Sequence, residues 1–179
     1  LAYWLYIDGV DTIIRMAVDY GLSLGFDQGD LIQALLITQF IGFPAALIFG
    51  RLGEKIGARA GIFIAIGLYI LITLWASQMQ QAWEFYSLAV MIGLVQGGIQ
   101  SLSRSLYARL IPADQAAEFF GFYNMLGKFA AVIGPLMVGF IGVATGNPRL
   151  GILSVLVLFI LGFLVLTKVN RPADNLRRL

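Results

Sequence analysis

Hydrophobic residues along this chain form long runs separated by short polar or glycine-containing stretches. Each run is long enough to cross about 30 Å of hydrocarbon as a helix. The chain lacks the alternating ten-residue pattern that is typical of an outer-membrane barrel. We therefore predict an all-α membrane protein with six transmembrane helices, at roughly residues 3–25, 31–52, 59–77, 84–106, 115–144 and 150–168.

The composition of the 179 residues supports this class. Hydrophobic residues make up 59% and charged residues 12%, which is outside the range of ordinary soluble domains. The predicted organisation is a six-helix transmembrane half-domain over residues 1–168, followed by a basic cytoplasmic tail over residues 169–179. Because the chain opens without Met inside a predicted helix, we expect it to be a fragment.

The basic residues predict how the chain crosses the membrane. If the start is cytoplasmic, the inner loops and tail hold nine basic residues: Arg51, Lys55, Arg59, Arg104, Arg109, Lys168, Arg171, Arg177 and Arg178. The outer loops hold only Arg149. This bias predicts that both ends are cytoplasmic, in an inner or plasma membrane, or in a vacuolar membrane if the source is eukaryotic. Lipid headgroups explain the basic tail, so no nucleic-acid partner is expected.

The first predicted span carries an unusual polar stripe. Asp8, Asp11, Arg15 and Asp19 fall within an arc of roughly 80° on a helix. The apolar residues of the span gain roughly 2 to 5 kcal/mol on insertion, whereas four charges near mid-bilayer cost roughly 10 to 14 kcal/mol. The stripe must therefore face partner side chains or a water-filled cavity.

Two interpretations of the stripe remain open. In one, Arg15 forms structural ion pairs with Asp11 and Asp19, which lie four residues before and after it. In the other, the stripe takes part in transport or coupling, because three carboxylates share one Arg. At least one acid must then be protonated, meet a cation from another helix, or contact water.

The fourth and fifth spans carry further polar residues. In the fourth, Gln96, Gln100 and Arg104 form a polar row beside a row of small residues that suits close helix contact, namely Gly93, Gly97, Ser101 and Ser105. In the fifth, Asn124 and Lys128 share one face. A lone ammonium at that depth needs a counter-ion, so we predict that Lys128 approaches the stripe or shares its cavity. A snorkelling or purely structural Lys128 is the alternative.

The second and fifth spans contain glycine and proline residues. Pro44 and the Gly134-Pro135 pair are expected to bend their helices, and Asp30 to cap the second. Between spans two and three we predict a tight inner turn whose candidate gating residues are Gly50, Gly53, Glu54, Lys55, Gly57 and Arg59. This turn resembles the inter-helix signature of the major facilitator superfamily. Glu54 and Ala58 depart from that signature, which usually has Asp and a basic residue there.

The two halves of the chain follow one scheme, in which a polar span is followed by a Gly/Pro-bent span and a wholly apolar one. This scheme predicts a 3+3 inverted repeat, the architecture of half of a twelve-helix major facilitator fold. The missing amino-terminal six-helix half is then a partner. An isolated half would expose its cavity, so we also expect it to associate, for example as a homodimer.

Longer runs are similar to one branch of that superfamily, the vacuole-effluxer-like amino-acid effluxers. They are residues 6–13, 50–59, 96–105 and 117–128, followed by Gly134-Pro135. The resemblance covers nearly the whole chain and corresponds to the carboxy-terminal half. It implies export of small solutes, amino acids among them, by alternating access.

The leading hypothesis is therefore half of a secondary transporter for a small solute, with proton coupling as a further hypothesis. The candidate substrate or coupling residues are Asp8, Asp11, Arg15, Asp19, Gln96, Gln100, Asn124 and Lys128. The alternative is a non-transporting membrane scaffold or sensor with a structural ion network. Without Cys or His, we expect no enzyme, no metal site and no cofactor.

Overall fold

The computed structural model describes residues 1–112 and 115–169. The predicted tail from residue 170 onward lies outside the described residues. The described residues form eight helices and no strand: α1 (Ala2–Ser23), α2 (Gln28–Ile56), α3 (Ala58–Gln78), α4 (Ala82–Ala108), α5 (Ala116–Phe129), α6 (Ile133–Thr145), α7 (Pro148–Leu153) and α8 (Val155–Thr167).

The helices coincide with the six predicted spans, with the fifth and sixth each divided in two. Five stretches of the described chain are long and apolar enough to cross a membrane: Gln28–Arg51, Ala58–Gln78, Ala82–Ala108, Ala116–Thr145 and Pro148–Thr167. Helix α1 is of similar length, but its four charged residues leave it outside this group. The chain is therefore an all-helical, multi-pass membrane protein.

The fifth span is interrupted at residues 130–132, between α5 and α6. Pro135 has no backbone N–H, so the helical hydrogen bond to the carbonyl of residue 131 is missing. The expected bend near Gly134-Pro135 is thus a full break. Pro44, by contrast, lies inside α2, which continues without interruption. The sixth span breaks at Ser154, whose hydroxyl donates to the carbonyl of Gly151 at 2.6 Å.

The start of α2 differs from the prediction. Asp27, not Asp30, is the N-cap residue, and its Oδ2 accepts the N–H of Gly29 at 2.8 Å. Asp30 lies in the first turn and instead accepts the hydroxyl of Tyr86 from α4 at 2.8 Å. Both residues can accept hydrogen bonds at a helix start, so the sequence alone did not separate them.

Helices α2 and α4 form the most extensive helix pair. A Cβ atom built on Gly93 would lie 2.8 Å from the carbonyl oxygen of Thr38. The hydroxyl of Thr38 reaches across the same contact to the carbonyl of Ala89 at 3.1 Å. The predicted close contact of the small-residue row is therefore confirmed for Gly93 and for Gly97, one turn further on.

Helix α1 packs against α8 on the side away from its charges. A Cβ atom on Gly9 would lie 2.9 Å from the ring of Phe159, and one on Gly162 would lie 2.9 Å from Cβ of Tyr6. Phe159 also stacks on Tyr69 of α3, with ring centroids 5.4 Å apart. One face of α1 is thus fixed in an apolar core, and this fixes the direction in which the opposite face points.

Candidate functional site

A cavity of about 500 Å³ opens between α1, α4 and α5. Its walls combine charged, amide and aromatic side chains, in contrast to the apolar core behind α1. The residues that line it are Tyr3, Ile7, Asp11, Arg15, Gln100, Arg104, Tyr123, Asn124, Gly127 and Lys128. Five of the eight predicted substrate or coupling residues are among them: Asp11, Arg15, Gln100, Asn124 and Lys128.

The lining follows the four-residue spacing of a helix face. On α1, Tyr3, Ile7, Asp11 and Arg15 are each one turn apart and so lie above one another. Gln100 and Arg104 on α4, and Asn124 and Lys128 on α5, repeat this spacing. Three rows on three helices therefore form one polar compartment.

Cations outnumber acids in this lining. Arg15, Arg104 and Lys128 each come from a different helix, and Asp11 is the one acid beside them. On α1, Asp11 and Asp19 lie one turn before and one turn after Arg15. Structural ion pairs along α1 and a role in transport or coupling therefore both stay predictions.

Asp8 lies apart from the rest of the stripe. Its side chain is 1% exposed, and its Oδ1 accepts the N–H of Gly134 at 3.0 Å. The hydroxyl of Thr12 lies 3.3 Å from the same oxygen. Gly134 is in the first turn of α6, where N–H groups lack helical partners and negative charge is favoured. Asp8 thus caps α6 across the helix break.

Asp19 and Gln96 are also outside this cavity. Asp19 is exposed and lies beside a second opening of about 350 Å³, between α1, α6 and the start of α7. Gln96 is half-buried on α4, one turn before Gln100. The structure therefore separates the predicted stripe into three settings: a helix cap, the charged cavity, and the second opening.

Sequence reasoning left five lining residues out of its site: Tyr3, Ile7, Arg104, Tyr123 and Gly127. Tyr3 stacks on Tyr123 with centroids 4.1 Å apart, which joins α1 to α5 at one end of the cavity. Ile7 and Tyr3 lie one and two steps of four residues before Asp11, and Arg104 lies four residues after Gln100. That spacing was the signal that could have identified Tyr3 and Ile7, and it is the spacing that places Arg104 in the polar row of the fourth span.

The predicted gating turn is shorter than expected. Helix α2 continues to Ile56, so Gly50, Gly53 and Lys55 lie in its last two turns, while the side chain of Glu54 is outside the described part of the structure. Gly57 alone connects α2 to α3, with φ of +87°, a conformation that favours glycine. Arg59 donates from Nη2 to the carbonyl of Thr167 at 2.7 Å, which ties the start of α3 to the end of α8.

The described residues contain no group of three or more His, Cys, Asp or Glu that could hold a metal ion. The charged and amide side chains that line the cavity suit recognition by charge and hydrogen bonding. Arg and Lys bind anionic oxygens, Asp11 binds a cationic or hydroxyl group, and the amides of Gln100 and Asn124 both donate and accept.

Comparison with known proteins gives this geometry a context. Residues 1–174 match the family described as Vacuole effluxer Atg22 like. The chain belongs to the Atg22-like vacuole effluxer family. This confirms the branch that the motifs resembled. The Atg22-like family and the relatives below are described as effluxers, transporters or autophagy-related proteins, not as enzymes.

Curated relatives of this Atg22-like chain occur in bacteria and fungi. The uncharacterized MFS-type transporter YxiO of Bacillus subtilis is 40% identical over 175 residues, which are 98% of this chain and 41% of that protein. Autophagy-related protein 22-1 of Aspergillus niger is 31% identical over 188 residues, 95% of this chain and 31% of that protein. The same-named protein of Aspergillus terreus is 27% identical over 186 residues. The chain thus spans less than half the length of these relatives.

Proposed function

We propose that this chain is the carboxy-terminal half of a secondary transporter that moves a small solute by alternating access. The cavity between α1, α4 and α5 is the solute site in this proposal. The observation that carries it is the convergence of charged and amide side chains from three helices on one open compartment. Charged groups within membrane-spanning helices are costly unless they face a hydrated cavity or a binding partner.

The arrangement in the membrane is part of the proposal. Residues 1–168 form one six-helix unit, in which α1 to α3 and α4 to α8 are the two inverted repeats. A further six-helix half completes the opposite wall of the cavity. Both ends of the described chain face the cytoplasm, because the basic residues lie around the α2–α3 and α4–α5 connections. Amino acids are candidate solutes because the chain is similar to effluxers of the Atg22-like family.

The first prediction tests the solute site in the full-length carrier, reconstituted in proteoliposomes with a panel of labelled solutes. Gln100→Ala and Asn124→Ala each remove an amide that lines the cavity. Loss of one hydrogen bond to a solute corresponds to about 1.4 kcal/mol, so transport should fall about tenfold. Gln80→Ala, at an exposed turn before α4, is the matched control and should transport normally.

The same experiment separates transport from the scaffold or sensor hypothesis. Transport that is insensitive to both cavity variants contradicts the proposed site. Absence of transport for every solute, together with a stable complex with another protein, favours the scaffold. Measured transport of any solute by the control variant excludes a purely non-transporting role.

The second prediction concerns proton coupling, which we assign to Asp11. Asp11 is the acid that lines the cavity, together with Arg15 on its own helix, Arg104 on α4 and Lys128 on α5. Asp11→Asn should abolish the dependence of transport on pH in proteoliposomes with an imposed pH gradient, because the titrating group is removed. Asp19→Asn, beside the second opening, is the matched control. Unchanged pH dependence in Asp8→Asn, Asp11→Asn and Asp19→Asn alike would contradict coupling through these acids.

A further inference from the structure

The charge of the cavity wall points to the class of solute. Arg15, Arg104 and Lys128 supply three positive charges, and Asp11 supplies one negative charge. We propose that the solute is a small organic anion, whose carboxylate or phosphate oxygens bind among these three cations. This inference rests on the proposed function, because it describes the occupant of the same site.

The other acids of α1 do not neutralise the excess positive charge of the cavity wall. The carboxylate of Asp8 is buried and accepts the N–H of Gly134 at the start of α6. Asp19 lies beside a different opening. Within residues 1–112 and 115–169, Asp11 is thus the one acid that lines the cavity together with the three cations. The wall therefore has a net positive charge.

Two of the cations lie well inside their spans by position along the helix. Arg15 is thirteen residues after the start of α1, which is about 20 Å along a helix of ~33 Å. Lys128 is twelve residues into the 30-residue stretch Ala116–Thr145, or about 18 Å from its start. A cation at such depth needs an anion or water within the protein interior, and an anionic solute in the cavity provides it.

The geometry suits recognition of an oxyanion. A guanidinium offers a planar set of donors that matches carboxylate or phosphate oxygens, and an ammonium adds a point charge. Arg104 lies over the ring of Phe120 at 5.4 Å, which helps to fix its direction. A cleft lined by one sign of charge also concentrates ions of the opposite sign. The volume of about 500 Å³ is within the range of single small-molecule sites.

Asp11 restricts which anions are accepted. It can accept a hydrogen bond from an ammonium or hydroxyl group on the solute, and it repels a further carboxylate placed beside it. The wall therefore favours a solute with separate anionic and hydrogen-bond-donating ends and with a net negative charge.

The test measures binding to the purified full-length carrier by calorimetry and by thermal stabilisation. The probes are glutamate, its neutral isostere glutamine, lysine, succinate and glycerol 3-phosphate. Glutamate should bind at least about tenfold more tightly than glutamine, and lysine should bind least well, since one charge-assisted interaction is worth about 1.5 to 3 kcal/mol. Succinate and glycerol 3-phosphate distinguish a carboxylate site from a phosphate site.

Substitutions in the cavity wall test which side chains cause the preference for glutamate over glutamine. Arg104→Gln and Lys128→Gln should each reduce the ratio of glutamate to glutamine affinity about tenfold. Lys168→Gln, which removes an equal charge from the exposed end of α8, should leave the ratio unchanged and serves as the matched control.

Several outcomes would overturn the inference while the proposed transport stands. They are equal binding of glutamate and glutamine, preference for lysine, or a preference for anions that Arg104→Gln and Lys128→Gln do not change. The first would mean that acids on the opposite wall neutralise the three cations. Absence of binding and transport for solutes of every charge would contradict the proposed function itself.

Discussion

Replacing Asp8 by Ala is expected to lower the free energy of unfolding of this protein by about 2 to 4 kcal/mol. The carboxylate is 1% exposed and accepts the N–H of Gly134 at 3.0 Å. Its removal leaves that N–H without a partner and opens a void beside Thr12. The two helices cannot easily move together to fill the void, because Gly134 already lies so close to Thr12 that no side chain fits between them.

Thermal and denaturant-induced unfolding in detergent checks this prediction. Asp8→Asn is the informative companion, because its amide oxygen can accept the same hydrogen bond, and it should lose only about 1 kcal/mol. Asp19→Ala removes the same carboxylate from an exposed position of α1 and should change stability little. If Asp8→Ala were as stable as Asp19→Ala, the cap across the helix break would have no structural role.

The sequence could not distinguish Asp8 from the other acids of its stripe. The four charges share one helical face, and each is equally costly in hydrocarbon. The break at residues 130–132 distinguishes Asp8 from the other three, because it directs the N–H of Gly134 in α6 at Asp8. That contact joins residues 126 positions apart, and no local pattern around Asp8 indicates it.

Hydrophobic pattern predicted which stretches become helices better than it predicted where they end. Spans of apolar residues match all the helices, because length and hydropathy are local properties. The end of α2 is different: Gly50 and Gly53 suggest a turn, yet Gly53 lies inside the helix, where a Cβ atom would displace the end of the Leu102 side chain. Of the three glycines of this turn, Gly57 is the one with a positive φ. A glycine that permits close packing and one that ends a helix look the same in sequence.

The cavity was partly predictable for a related reason. The high cost of charge in lipid makes Asp11, Arg15 and Lys128 candidates for a shared compartment before any coordinates are known. The aromatic contacts at one end of that compartment carry no such cost. Tyr3 and Tyr123 are therefore unremarkable in sequence, although their stacking is what connects α5 to α1 beside the cavity.

Replacing Gly97 by Leu is expected to destabilise the protein by about 3 kcal/mol. A Cβ atom there would lie 2.7 Å from the carbonyl oxygen of Gly42 and 2.8 Å from Cβ of Ala46. Both atoms belong to the rigid surface of α2 and cannot rotate away. The two helices would have to separate, which also breaks the hydrogen bond from Thr38 to Ala89.

Unfolding in detergent again provides the measurement, with Gly67→Leu as the matched control. Gly67 lies in the middle of α3, and a Cβ atom there would meet nothing within 4 Å. Leu has the higher helix propensity, so this variant should be as stable as the original protein or more stable by up to about 1 kcal/mol. Opposite signs for the same substitution would show that α4 is held by close backbone contact with α2. Equal effects at both positions would contradict that packing. Because α4 also carries Gln100 and Arg104, its separation from α2 should weaken solute binding at the cavity as well.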